Sequence, residues 1–238
     1  MSLPKLNHPS TMMVAGPTGS GKTRFVVKLL KENMYEVVPS ELNKKDLDRR
    51  YPDRLIWVYG EKQPIHDEVQ EIFPQVEFVN NFEFELSPKE RNLVILDDVM
   101  MAAKGDRKVA EVFVQGSHHR NATVIFIVQN LFLQGSQMRT INLNVQYFVL
   151  MKTNRDIKQI VNFGGQLLDT ENRSMFRHIY RDATKEPFSY LLIDLQSQTP
   201  DTHRFRTKIF PGEKNKVYVP DELAKEIEDI KDADFEDD

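Results

Sequence analysis

Thr11-Met12-Met13-Val14-Ala15 followed by Gly16-Pro17-Thr18-Gly19-Ser20-Gly21-Lys22-Thr23 decides how this chain is read. An apolar, strand-like run leads into a complete G-x-x-x-x-G-K-T, and a helical pattern over Thr23 to Asn33 follows directly, which is the context the motif requires. Its three glycines let backbone N–H groups curl around phosphates without Cβ clashes. The helix that follows points its positive end at the same place. Within the loop Gly16, Pro17, Thr18, Gly19, Ser20 and Gly21 form the cradle, Lys22 neutralises β/γ oxygens, and the Thr23 hydroxyl is placed for Mg2+. A mere glycine-rich turn is the alternative, and the two correct flanks argue against it. The expectation is a site for ATP with Mg2+.

Outward from this loop, β-rich apolar runs alternate with helical patterns, the signature of a parallel sheet with helices on both faces. The expected strands are Thr11 to Ala15, Leu55 to Tyr59, Val76 to Val79, Leu93 to Leu96, Thr123 to Val128 and Val145 to Met151. The expected helices are Thr23 to Asn33, His66 to Phe73, Arg107 to His118 and Arg155 to Phe163. Tyr190 to Asp194 and Arg204 to Phe210 read as a terminal antiparallel hairpin, and Leu42 to Arg54 reads as charged surface. The fold class is therefore α/β, a P-loop NTPase built on a mostly parallel central sheet.

Asn92-Leu93-Val94-Ile95-Leu96-Asp97-Asp98 is a buried-strand pattern ending in two carboxylates, as a metal-positioning strand in this class should. Asp97 is expected to hold Mg2+ through water. Asp98 is a candidate to orient or deprotonate the attacking water, or simply the cap of a following helix. The strand Thr123 to Val128 ends in Gln129, an amide able to sense a γ-phosphate or to start a loop. Ahead of it stands Gly116-Ser117-His118-His119-Arg120. Adjacent histidines point apart and no third ligand follows at a metal spacing, so zinc is not expected. Arg120 is a candidate trans-acting arginine finger, or a surface arginine.

Composition narrows the function classes. The chain has 238 residues and no cysteine, which removes disulfides, thiolate nucleophiles and Cys-based metal centres together. No apolar stretch approaches the roughly 20 residues that span a bilayer, so no membrane segment is expected, and the opening MSLPKLNHPS lacks a signal-peptide core. The net charge of -4 is uneven: residues 221–238 hold ten acids against Lys225 and Lys231, leaving about +4 over residues 1–220. The expected organisation is an ATPase domain over 1–220 and an acidic tail over 221–238. That tail reads as a solvated helix fraying into disorder, or as a detachable cover for a basic surface.

The blocks GPTGSGKT, WVYGEKQP, LVILDDVM, VQGSHHRNATVIFIVQNLF, RTINLNVQYFVLMKTNRDIKQI and YRDATKEPFSYLLIDL together resemble the DNA-packaging ATPases of Polinton/Maverick elements and adintoviruses. These belong with the poxvirus-type packaging ATPases in the FtsK/HerA superfamily. The similarity runs from about Thr11 to about Val219. It implies an additional-strand sheet, with the Gln129 strand inserted between the P-loop strand and the Asp97 strand. It implies an ATP-driven pump that threads double-stranded viral DNA into a preformed capsid, working as a ring, expected as a hexamer at the capsid or portal vertex. Such a pump would work inside the infected host, in the nucleus or a cytoplasmic virus factory, or with the virion. On matching positions Lys22 and Thr23 bind ATP–Mg2+, Asp97 and Asp98 form the Walker B pair, Gln129 is the sensor and Arg120 the trans finger. Two positions depart from the pattern: Asp98 stands where the superfamily usually has Glu, and Asn162 to Gln166 is less apolar than the family run.

Two basic clusters are candidates for DNA contact, Lys104, Arg107 and Lys108 after the Walker B strand, and Lys152, Arg155 and Lys158. Either can equally be a solvated face. Two other functions compete: a P-loop kinase, although no compact arginine-rich lid is visible, and a nucleotide-gated capsid-assembly factor with little hydrolysis, hinted at by Asp98.

Overall fold

The computed structural model of the chain describes residues 5–37, 52–99, 107–131, 136–168 and 173–219. The acidic tail over 221–238, Lys104 and most of the charged segment Leu42 to Arg54 lie outside the described residues. In chain order the elements are β1 (Leu6–His8), β2 (Thr11–Ala15), α1 (Lys22–Lys31), β3 (Tyr35–Val37), β4 (Arg54–Tyr59), α2 (Pro64–Ile72) and β5 (Glu77–Val79). They continue with β6 (Asn92–Asp97), α3 (Arg107–His119), β7 (Ala122–Val128), α4 (Ser136–Leu143), β8 (Tyr147–Met151), α5 (Ile157–Leu167) and α6 (Arg173–Ala183). The chain then forms β9 (Tyr190–Asp194), a 3-10 turn (Asp201–His203), β10 (Phe205–Thr207) and β11 (Lys216–Tyr218).

Nine strands form one sheet in the order β11-β10-β9-β8-β2-β7-β6-β4-β5. The six from β8 to β5 run parallel, and β9, β10 and β11 run antiparallel at the other edge. β7 lies between β2 and β6, so the strand ending at Gln129 does separate the P-loop strand from the Asp97 strand. The register is level: Ala15 pairs with Val128 and Leu150, while Asp97 pairs with Ile127 and Tyr59. The carboxyl ends of β8, β2, β7, β6 and β4 therefore open at one edge of the sheet, where ligands of open α/β sheets bind.

The central strands are buried on both faces and read as continuous apolar runs. Alternate residues serve two cores. Met12, Val14, Trp57, Ile95 and Ile127 pack under Phe25, Leu29 and Val69 of α1 and α2. Met13, Val58, Leu96, Phe126 and Phe148 pack under Phe113, Ile141, Ile160 and Phe176 of α3 to α6. Helices cover both faces, as the alternating pattern requires.

Two helices exceed the sequence reading, α4 and α6. In α6 the apolar residues Phe176, Ile179, Tyr180 and Ala183 recur at helical spacing and are buried, but they sit among arginines that disguise the stripe. The run Asn162 to Gln166 gains its explanation here. A Cβ on Gly164 would stand 2.1 Å from the Phe176 ring, and one on Gly165 would stand 2.6 Å from the Arg173 side chain. Small residues, not larger apolar ones, are required where α5 crosses α6. The terminal hairpin is present but its second strand is only Phe205–Thr207. The buried Arg206 guanidinium reaches Asp194 across it.

Candidate functional site: a P-loop cleft at the carboxyl edge of the sheet

The loop after β2 turns under constraint. Gly19 has φ 76° and Gly21 φ 94°, left-handed values that glycine adopts without strain. Gly16 is small for another reason: a Cβ there would fall 2.6 Å from Met151 Cβ and 2.8 Å from Ser20 Oγ. Gly21 caps α1 with no side-chain hydrogen bond, so the first-turn N–H groups are met by no capping side chain. Lys22 Nζ donates to the carbonyl oxygens of Gly16 at 2.8 Å and Pro17 at 3.0 Å, which holds the ammonium over the loop. Burial pushes the Lys22 amine below its ordinary range, and Asp97 and Asp98 partly offset this.

Across the cleft β6 ends in Asp97, which is only 3% exposed and whose Oδ2 has no hydrogen-bond partner. His66 Nε2 stands 3.6 Å from that oxygen, also buried and also unpartnered. The His66 ring is oriented from its other side, because the Gln63 backbone N–H donates to Nδ1 at 3.2 Å in a capping box at the start of α2. That fixes Nδ1 as acceptor and leaves the proton on Nε2, facing Asp97. The sequence reading placed His66 only as the first residue of a helix. Gln63-Pro64-Ile65-His66 at a helix start was the available signal, but its link to Asp97 is tertiary.

Asp98 is exposed and has φ 54°, a left-handed value that aspartate tolerates better than most residues. Gln129 Nε2 donates to both its carboxylate oxygens, at 3.2 and 3.4 Å. Gly60 closes this corner, since a Cβ there would lie 2.8 Å from the Asp98 carbonyl oxygen. Thr18, Gly19, Gly21, Lys22, Thr23, Gln63, Asp97, Asp98, Gln129 and Phe188 line one cleft of about 330 Å3. The residues fit a divalent cation carried with a nucleotide: the Thr23 hydroxyl and a buried carboxylate with one uncommitted oxygen border the same space.

Arg120 is elsewhere. It precedes β7, at the end of that strand opposite Gln129, and is exposed, with Nη1 3.4 Å from the Leu86 carbonyl oxygen. It borders a separate groove with Phe82, Phe84, Glu85 and Glu111. The second basic cluster divides. Lys152 Nζ donates to the Lys185 carbonyl oxygen at 2.6 Å, and Arg155 lines a cleft beside Gly16, Pro17 and Gln129. Lys158 instead joins Arg173, Arg177, His178 and Arg181 along a groove between α5 and α6. Arg173, Arg177 and Arg181 recur every fourth residue on one face of α6. None of these four cationic side chains forms an ion pair among the described residues. The sequence reading missed this ladder because it missed the helix. Of the first cluster, Arg107 and Lys108 begin α3 and Lys104 lies outside the described residues.

Among the described residues no helix is long and apolar enough to cross a membrane, and no group of three or more His, Asp and Glu could hold a metal ion. A comparison with curated proteins finds no significant match. Among solved structures the fold matches the genome packaging NTPase B204 of Sulfolobus turreted icosahedral virus 2. The complex with AMPPCP gives a TM-score of 0.51 at 12% identity, covering 91% of this chain and 98% of that one. The complex with sulfate gives 0.50 at 12% identity, covering 91% and 97%. At that identity the likeness establishes the fold. The sequence itself matches the family of the poxvirus A32 protein over residues 3–186, a span that contains the P-loop, the Asp97-Asp98 pair, Gln129 and Arg120, and the chain belongs to that family.

Proposed function

We propose that the chain is the ATP-hydrolysing motor that moves double-stranded viral DNA into a preformed capsid. The observation that carries this reading is the convergence of Lys22, Asp97, Asp98 and Gln129 on one cleft at the level carboxyl ends of β2, β6 and β7. Family membership and the likeness to a protein described as a genome packaging NTPase support the DNA substrate.

Each residue has a task in that reading. Backbone N–H groups of the P-loop and the start of α1 bind the β- and γ-phosphates, and Lys22 turns its ammonium from the loop carbonyls to their oxygens. Thr23 and Asp97 hold Mg2+, whose chemistry when bound is to neutralise charge on the β/γ oxygens. His66 fixes the direction of the Asp97 carboxylate. Asp98, held by Gln129, faces the position of the attacking water, so departure of the γ-phosphate is sensed by the amide that orients the base.

The ATPase domain spans residues 1–220 and works in a ring, with a capsid or portal vertex as its seat and Arg120 serving the nucleotide of a neighbouring subunit. Duplex DNA runs along cationic surface: the ladder Lys158, Arg173, Arg177 and Arg181 is the best-supported contact, with Lys104, Arg107, Lys108, Lys152 and Arg155 as lesser candidates. The acidic tail over 221–238 competes for that surface.

Phosphate release measured with and without duplex DNA tests the motor, and DNA binding across a salt series tests the contact. Duplex DNA should stimulate wild-type hydrolysis. Changing Arg177 and Arg181 to Ala should weaken DNA binding without sequence preference and reduce the salt slope by about one for each contact removed. Hydrolysis indifferent to DNA would overturn the motor reading.

A further inference from the structure

The loop between α6 and β9 carries a side chain that its own fold does not need. Glu186-Pro187-Phe188-Ser189 is a tight turn, closed by the Ser189 N–H donating to the Glu186 carbonyl oxygen at 3.3 Å. Proline occupies its second position, and Phe188, at the third, has φ 60°. That is the type II pattern, in which the third position favours glycine because an L side chain is strained there. A bulky aromatic at positive φ is an outlier that persists only where something else requires it. Burial does not require it, since Phe188 is 67% exposed, one of only two large apolar side chains so exposed among the described residues.

The turn is rigidly placed. Lys152 N–H donates to the Ser189 carbonyl oxygen at 3.2 Å, tying the turn to the end of β8. Lys152 Nζ donates to the Lys185 carbonyl oxygen at 2.6 Å, and Ser189 Oγ donates to that of Glu186 at 2.6 Å. The ring so presented stands against the phosphate loop: a Cβ on Gly21 would lie 3.2 Å from Phe188 Cδ1. Phe188 lines the same cleft as Thr18, Gly19, Lys22 and Thr23. An exposed π face, carried by a hydrogen-bonded turn to the rim of a phosphate site, matches the planar base attached to those phosphates.

We infer that Phe188 is the stacking platform for the nucleobase of the nucleotide held by the P-loop. The inference rests on the proposed ATP-binding reading and adds to it a subsite and a source of affinity. Stacking is tolerant of base identity because every base has a π face, so the platform strengthens nucleotide binding without by itself selecting adenine. It also explains the backbone strain, which places a ring where a glycine would turn the chain more easily.

The test measures dissociation constants for ATPγS–Mg2+ and for inorganic tripolyphosphate in wild type, Phe188→Gly and Phe188→Tyr. Phe188→Gly relieves the positive φ, so its melting temperature should be no lower than that of wild type. Its ATPγS affinity should nevertheless fall on the order of tenfold, with tripolyphosphate unchanged. Phe188→Tyr keeps the ring and should bind both as wild type does. Equal losses for ATPγS and tripolyphosphate in Phe188→Gly would make the ring a support for the P-loop and overturn the stacking role. Unchanged ATPγS affinity would overturn it too, and if self-association fell instead, the ring would belong to a subunit contact. Failure of the wild type to bind either ligand would refute the nucleotide-site reading itself.

Discussion

The trans role proposed for Arg120 makes a prediction whose size follows from the sheet. Arg120 and Gln129 flank β7, seven residues from Ala122 to Val128, and six steps at about 3.3 Å separate its ends by roughly 20 Å. Gln129 borders the cleft with Lys22 and Asp98, so Arg120 cannot reach the γ-phosphate bound by its own chain. An arginine finger contributes about 10³- to 10⁵-fold to turnover, equivalent to about 4–7 kcal/mol of barrier. Locally the side chain holds little: it is exposed, and its 3.4 Å contact with the Leu86 carbonyl oxygen is long for a hydrogen bond. Arg120→Ala should therefore keep its melting temperature and its ATP affinity while steady-state phosphate release falls at least 10³-fold. Mixing Arg120→Ala with Lys22→Ala subunits should restore part of the activity, because some interfaces then pair an intact P-loop with an intact arginine. Mixed rings with verified subunit exchange and no restored hydrolysis would refute the trans assignment and direct attention to Arg139, the next arginine along the chain.

Other variants probe the cleft and its supports. Lys22→Ala and Asp97→Ala should each abolish hydrolysis, and near-normal phosphate release by either would break the assignment of the cleft to catalysis. His66→Ala should lower kcat about 10- to 100-fold with ATP affinity largely kept, since it frees the buried Asp97 carboxylate to rotate; an unchanged kcat would leave the 3.6 Å approach without a role. His8 is buried beside Thr123 and Asn121, and burial lowers its pKa to about 4. Its neutral form is favoured in the fold, so stability is fully present above pH 6.5 and declines as pH falls towards 4, by about 3 kcal/mol in all. Urea unfolding at pH 7 and pH 5 should show about 2 kcal/mol of that loss, and His8→Gln should flatten it. Gly164→Ala places a Cβ 2.1 Å from the Phe176 ring and should cost about 3 kcal/mol by overpacking, read as a fall in melting temperature of roughly 10 °C; an unchanged value would mean that α5 and α6 slide apart freely.

The P-loop and the Asp97-Asp98 strand were legible because each is local: a backbone conformation that needs glycine, a hydrophobic run that needs both faces covered, and polar residues placed where the run stops. The same holds for Gln129 and for the helices whose apolar stripes are clean. Local rules were weaker where charge masks periodicity, which is why α6, with its arginines on one face and Phe176 and Ile179 on the other, was passed over, and the Arg173-Arg177-Arg181 ladder with it. Asn162 to Gln166 read as a departure from its family because the reason for Gly164 sits on another helix.

Sequence by itself determined the α/β class, the phosphate loop, the paired carboxylates and the family, since all of these are carried by spacing within one segment or by blocks in fixed order. Only the tertiary structure decided that His66 faces Asp97, that Gln129 holds Asp98, that Lys158 belongs with α6 instead of Lys152, and that Phe188 stands over Gly21. The physical reason is that strand order, register and helix packing bring together residues 15 to 167 positions apart, and pairings at that range leave no periodicity in the chain that could announce them.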